Sequence, residues 1–171
     1  MGIHRFYHAD RWQGLTEGQT IELDSRGLSR FGSIYWDAIC TKPFDSLTDA
    51  EQREFLLEQT RSLPVFSEHR CSRFQSMFGA LSIEDAKRFV DTILPRPERV
   101  PIYEVFASSF CTLDMNWLDY ASDVDTSIQN RRNYWYAEIS NHNPETGDRK
   151  LPLLEVLMQL PVRVGKLVAW A

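Results

Sequence analysis

Between Leu151 and Trp170 the chain carries two stretches of different character on either side of Pro161, and together they limit the architecture more than any other feature. Val162, Val164, Lys166, Val168 and Trp170 fall on every second residue, which suits a closing strand. Leu151 to Met158 is instead an almost continuous apolar run that holds a single carboxylate, Glu155. Read as a strand, it puts Glu155 on the face of Leu153 and Leu157.

Further upstream, helical and strand-like segments are interspersed. Ile3–His8 reads as a short opening strand and Gln19–Leu23 as a second, with Gly14 and Gly18 as breaks between them. Thr48 and Glu51 form a capping-box pattern, predicting a helix over Asp49–Ser62 with Phe55, Leu56 and Leu63 on its apolar face, stopped by Pro64. Phe74–Leu81 reads as a strand. Ser82 with Asp85 caps a helix along Ile83, Ala86, Phe89, Val90 and Ile93, which Pro95 and Pro97 end. Ile102–Ala107 reads as a strand, Thr126–Tyr136 as a helix and Asn141–Lys150 as a loop. With strands gathered toward the C-terminal part, the expectation is an α+β fold with a mostly antiparallel or mixed sheet, in one domain over residues 1–171.

Several classes of function are disfavoured. The net charge is −5, against a whole-chain field for duplex DNA; Arg70 with Arg73, and Arg131 with Arg132, are the local basic candidates. Cys40, Cys71 and Cys111 are odd in number and lack a CxxC spacing, which argues against a disulfide scaffold or zinc and fits a reducing cytoplasm. The four histidines are scattered, so no metal site is expected. Met1 is followed by a polar, aromatic stretch rather than an apolar signal core, and no apolar run approaches the roughly 20 residues of a spanning helix. GxGxxG, GxxxxGK[ST] and GxSxG patterns are absent.

Three segments carry candidate chemistry. His8, in Phe6-Tyr7-His8-Ala9-Asp10-Arg11, ends an apolar strand: it either presents its ring at a pocket mouth or sits partly exposed beside Asp10. Ser72, Arg73, Phe74, Ser76 and Phe78 gather hydroxyls, a guanidinium and aromatic rings in one segment; the other reading is an amphipathic strand with a surface arginine and core phenylalanines. Glu155 either faces water from an edge strand or is buried with a partner or a catalytic purpose.

The order of these segments resembles the ADP-ribosyltransferase fold of the diphtheria-toxin and poly(ADP-ribose)-polymerase type, and more closely a bacterial family of that clan. The resemblance runs from about Phe6 to Val168. It is carried by Phe6–Arg11, by Ser72–Phe78 followed by Glu84-Asp85-Ala86, by Ile102–Val105, by Asp114–Leu118, by Tyr134-Trp135, and by Glu155 ahead of Pro161–Val164. Ala9 and Asp10 stand where that clan has Gly-Thr after Tyr-His, and the Phe74–Phe78 segment has no tyrosine.

The resemblance implies two small mixed or antiparallel sheets flanked by helices and forming an NAD cleft. NAD would be a substrate, no metal would be needed, and ADP-ribose would pass to a protein or nucleic-acid acceptor in the manner of a toxin, defence or phage-encoded effector. Glu155 would be the catalytic carboxylate. His8 would bind the adenosine ribose, and Arg73 and Arg11 the diphosphate. Ser72 and Ser76 would support the site, and Phe74 or Phe78 would stack on a ring. The departures at Ala9 and Asp10 keep a second expectation open: an inactive relative that acts by docking on a partner. A transferase acting on RNA 2′-phosphate would need a basic pocket, of which this acidic chain offers little.

Overall fold

Among the described residues, seven strands build two antiparallel sheets, accompanied by five α-helices. The structure, a computed structural model, describes residues 2–118, 123–140 and 151–171. The stretch Asn141–Lys150, read above as a loop, lies outside the described residues. Strands β1 (His4–Ala9), β2 (Thr20–Ile21), β4 (Pro101–Ala107) and β7 (Val162–Trp170) form one sheet in the order β1-β4-β7-β2. Strands β3 (Ser76–Gly79), β5 (Phe110–Asp114) and β6 (Leu154–Gln159) form the other, in the order β3-β6-β5. All the strand pairs are antiparallel.

The contrast between the two C-terminal stretches has a packing cause. β6 is the central strand of its sheet and is covered on both faces. Val156 and Met158 meet Phe6, Met77, Val105 and Val162 between the sheets, while Leu157 meets Leu57, Leu113, Tyr134 and Trp135 on the other side. A strand buried on both faces needs apolar residues at consecutive positions. β7 buries Val162 and Val164 but exposes Arg163, Lys166 and Trp170, so its pattern alternates at its start.

Helices cover the outer faces. α2 (Asp49–Arg61) carries the expected capping box, with Thr48 and Glu51 exchanging both hydrogen bonds. Its buried positions are Glu54 and Leu57; Leu63, expected on the apolar face, is exposed beyond the helix end. α3 is the single turn Pro64–Ser67. α4 (Ile83–Asp91) starts at the Ser82 cap and buries Ala86 and Val90 against Ala9, Ala80, Val100 and Ile102. α5 (Val124–Trp135) supplies Tyr134 and Trp135 to the core beneath β5 and β6. Among the described residues no helix is long and apolar enough to cross a membrane.

α1 (Arg30–Thr41) was not evident in the sequence. Its segment is rich in aromatic and β-branched residues, and tertiary docking holds it in place. Ser29 caps it through Gly32 N–H, and the Ser29 N–H donates to the Phe74 carbonyl at 2.8 Å. Gly32 passes so close to Phe74 that an added Cβ would collide with that carbonyl and lie 2.9 Å from the Phe74 Cα.

The strand expected over Phe74–Leu81 begins later, at Ser76. Residues Arg73–Gln75 instead form a 3-10 turn, because the Ser72 hydroxyl accepts the Phe74 N–H and draws the backbone out of extension.

The two sheets meet at one bridge. Tyr7 N–H donates to the Ala80 carbonyl at 3.0 Å, and Ala80 N–H returns to the Tyr7 carbonyl at 2.7 Å. The approach is tight at Gly79, where a Cβ would come 3.1 Å from the Tyr7 carbonyl oxygen and 2.8 Å from the Met158 methyl. A cleft lies beside this junction, with Tyr7, Gly79 and Ala80 in its lining.

Candidate functional site

The cleft has a volume of about 390 Å³, within the range of small-molecule sites. His8 and Arg11 reach it from β1 and the turn after it, Arg73, Ser76 and Phe78 from the second segment, and Glu155 from β6. Three stretches remote in sequence therefore share one groove. Ser72 and Phe74, also expected there, do not line it. The Ser72 hydroxyl donates to Glu58 at 3.0 Å, and the Phe74 ring is buried against Trp36. Both residues fix the turn that carries Arg73, which is a structural task.

At the centre is a buried charge cluster. Arg73 is 5% exposed, so it is not the solvated surface cation that the sequence also allowed. Its Nε and Nη2 clamp Glu54 of α2 at 2.7 and 3.2 Å, and its Nη1 donates to Glu155 Oε1 at 2.6 Å and to the Tyr134 hydroxyl. Tyr134 in turn donates to the same Glu155 Oε1 at 2.6 Å. The rings of Phe78, Phe31 and Tyr134 lie 4.8, 5.5 and 5.6 Å from the guanidinium carbon. Burial opposes the charge on Arg73, but Glu155 and Glu54 outweigh it and hold its pKa well above the ordinary arginine value. Burial, reinforced by the neighbouring carboxylates, pushes the Tyr134 phenol well up, so it stays protonated and can donate to Glu155.

Glu155 is 5% exposed on the central strand, which rules out the water-facing edge position. Its Oε1 is fixed by two donors, whereas Oε2 takes no hydrogen bond from any described residue, and the side chain lines the cleft. The carboxylate is thus oriented through one oxygen and available through the other.

His8 sits across the groove. It follows Phe6 by two residues and so points to the same face of β1, between the sheets. Its Nδ1 lies 2.6 Å from the Phe78 carbonyl oxygen. A carbonyl can only accept, so Nδ1 carries the hydrogen, and in the neutral ring Nε2 is left as an acceptor. Desolvation lowers the His8 pKa, against smaller raising effects of the Phe78 hydrogen bond and of Asp10, and favours that neutral form.

The rest of the lining completes a chemically divided groove. Phe31, Tyr35 and Phe78 form an aromatic wall, with ring centroids 4.8 Å apart for Phe31–Tyr35 and 4.7 Å for Phe31–Phe78. Nearby, Trp12 lies between two cations, Arg30 at 4.5 Å and Arg11 at 4.8 Å from its ring centre. The first turn of α1 faces the groove through Ser29, Arg30 and Phe31. Asp10 is buried and accepts the Leu15 N–H at 2.8 Å, holding the turn after β1.

Glu54, Arg30 and the aromatic pair Phe31–Tyr35 had been missed in the sequence. Glu54 had a signal: it precedes Leu57 by three residues, so whichever face buries Leu57 also buries a carboxylate. Tyr134 was visible only as part of a Tyr-Trp pair with no role attached.

Among the described residues no group of three or more His, Cys, Asp or Glu side chains is arranged to hold a metal ion. No protein-family model matches the chain, and no curated protein matches it.

Proposed function

We propose that the chain is an NAD-dependent ADP-ribosyltransferase acting on a protein or nucleic-acid acceptor, with NAD in the cleft beside the junction of the two sheets. The reading rests above all on one observation: His8 and Glu155, from opposite ends of the sequence, line a single cleft in which Glu155 is oriented but not consumed by its partners.

The chemistry asked of the site is cleavage of the bond between the nicotinamide nitrogen and the ribose. Nicotinamide is cationic in NAD and leaves neutral, taking the bonding electron pair, so departure needs no proton. Positive charge then develops on the ribose. Glu155 Oε2 would meet that charge and accept a ribose hydroxyl, while Arg73 and Tyr134 keep Oε1 from turning away. The aromatic wall of Phe31, Tyr35 and Phe78 suits a flat ring. His8 Nε2 is an acceptor for a hydroxyl of the adenosine ribose.

The diphosphate role shifts within the same groove. Arg73 is committed to Glu54 and Glu155, leaving one Nη2 hydrogen. Arg11 and Arg30 form no ion pair among the described residues, both line the cleft and stack on Trp12, and Arg30 is the first residue of α1, whose N-terminal N–H groups favour an anion. They are the better diphosphate ligands.

A second reading has its own observation. The ion pair of Arg73 with Glu155 cancels part of the negative charge that catalysis would use, which suits a protein that binds in the groove without turnover. Incubation with NAD labelled in the adenosine part, followed by measurement of free nicotinamide and of label on acceptors, separates the two. Transferase action requires nicotinamide release that is lost in Glu155→Gln. Tight NAD binding with no release in either protein would establish the non-catalytic reading instead.

A further inference from the structure

Away from the groove, two of the three cysteines come together. Cys71 precedes the turn that carries Arg73, and Cys111 lies on β5; neither lines the cleft. Gln159, at the end of β6, joins their neighbourhoods. Its Oε1 lies 4.0 Å from Cys71 Sγ and accepts the Ser109 hydroxyl at 3.2 Å, and its N–H donates to the Ser109 carbonyl at 3.0 Å. Cys111 is paired with Leu157 of β6, two residues before Gln159, so Cys111 and Gln159 project from the same face of that sheet. Cys71 is half-buried, Cys111 is buried, and Cys40 is exposed on α1.

We propose that Cys71 and Cys111 form a peroxide-sensitive dithiol, with Cys71 the attacking thiolate and Cys111 the resolving thiol. In the first step Cys71 sulfur attacks one oxygen of hydrogen peroxide. The S–O bond forms, the O–O bond breaks, and hydroxide leaves and takes a proton to become water. In the second step Cys111 sulfur attacks the resulting sulfenic acid. The S–S bond forms, the S–O bond breaks, and the oxygen departs as a second water with the Cys111 proton. The two thiols lose two electrons and two hydrogens, and the peroxide is reduced.

The electrostatics divide the two roles in the same sense. A hydrogen bond from the Cys111 thiol is the largest effect on Cys71 and, with the Ser109 hydroxyl and the Arg61 charge, outweighs burial and lowers its pKa to about 6. Cys111 is pushed up, first by that same bond and then by burial, so it stays protonated until a sulfenic acid is presented to it. The pair is independent of the NAD reading.

The test uses the full chain in its folded state. It is treated with a stoichiometric amount of hydrogen peroxide, quenched with catalase, blocked with N-ethylmaleimide and digested with trypsin without reductant. The expected product is peptide 71–73 joined to peptide 100–131, two hydrogens lighter than the separate peptides, with Cys40 carrying maleimide. The link should form about tenfold or more faster in the folded protein than in guanidinium, because folding holds the thiols together. In Cys111→Ser the link should vanish and dimedone should trap a sulfenic acid on Cys71. The proposal falls if Cys71 and Cys111 both emerge labelled with maleimide. It falls equally if links to Cys40 dominate, or if the unfolded chain forms the 71–111 link as fast.

Discussion

Arg73 donates to Glu155 Oε1 at 2.6 Å and leaves Oε2, the other oxygen of the same carboxylate, without a hydrogen bond from any described residue. A charge held in this way has little reorganisation left to undergo when a cation develops beside it. Glu155→Gln keeps the shape of the side chain and removes its negative charge. Nicotinamide release is expected to fall by about 10²–10³-fold, the usual loss for one preorganised group. Tyr134→Phe should cost less, about tenfold, since Arg73 still holds Oε1. Chromatography of free nicotinamide measures both; equal release from wild type and Glu155→Gln would remove Glu155 from the mechanism.

The same guanidinium is also a structural necessity, because it pairs with two buried carboxylates, Glu54 and Glu155, with Glu54 also meeting the more exposed Arg53 at 3.4 Å. Arg73→Leu would leave both without their shared cation, and a loss of about 3–5 kcal/mol is expected near neutral pH. Urea midpoints of variant and wild type test this, and a loss below about 1 kcal/mol would contradict it.

His8 gives a pH dependence of its own. Its pKa is lowered in the fold, chiefly by desolvation, from about 6.5 in the unfolded chain. Above that value the ring is neutral in both states and its contribution to stability is fully present. Below it the unfolded chain takes up the proton first, and stability is lost as pH falls toward the lowered native pKa. Denaturation midpoints at about pH 7.5 and pH 5.5 should show a larger drop in wild type than in His8→Gln, whose side chain cannot titrate.

Local patterns foretold the elements that local chemistry determines. The Thr48–Glu51 capping box, the Ser82–Asp85 cap and the alternation after Pro161 each became the element they signalled. His8 and Glu155 were readable because a polar residue at the end of, or inside, an apolar strand needs a reason. What was not legible depends on contacts remote in sequence. α1 is held by the backbone of Phe74, which no window around residues 30–41 contains. The partner of Glu155 was missed for the same reason. The spacing from Arg73 to Glu54 and Glu155 has no local signature, so the sequence suggested a phosphate ligand and gave no sign of the hydrogen bonds that tie Arg73 to Glu54, Tyr134 and Glu155.

That dependence of α1 on a remote backbone can be measured. Gly32→Ala improves local helix propensity by roughly 1 kcal/mol. It also drives a methyl group into the Phe74 carbonyl, which is rigid backbone. Overpacking of this kind costs about 1–3 kcal/mol, so the net change should be destabilising, with Tm lowered by several degrees. A scanning-calorimetry trace that moved up instead would mean that α1 is held by its own propensity and not by docking.

The cations beside Trp12 separate the dinucleotide reading from binding of a single ring. If Arg30 and the first turn of α1 hold the diphosphate, Arg30→Ala removes a charge-assisted contact of about 1.5–3 kcal/mol, and NAD affinity should weaken by about tenfold or more. Nicotinamide alone has no phosphate to lose and should bind both proteins equally. Added salt should weaken NAD binding to wild type more than to the variant, because the variant has one less exposed cation to screen. Calorimetric titration of both ligands at two salt concentrations gives all of these values. Equal weakening for NAD and nicotinamide would mean that Arg30 supports the aromatic wall through Trp12, and the diphosphate would then have to be sought at Arg11 or Arg53, the remaining partly exposed cations on the groove.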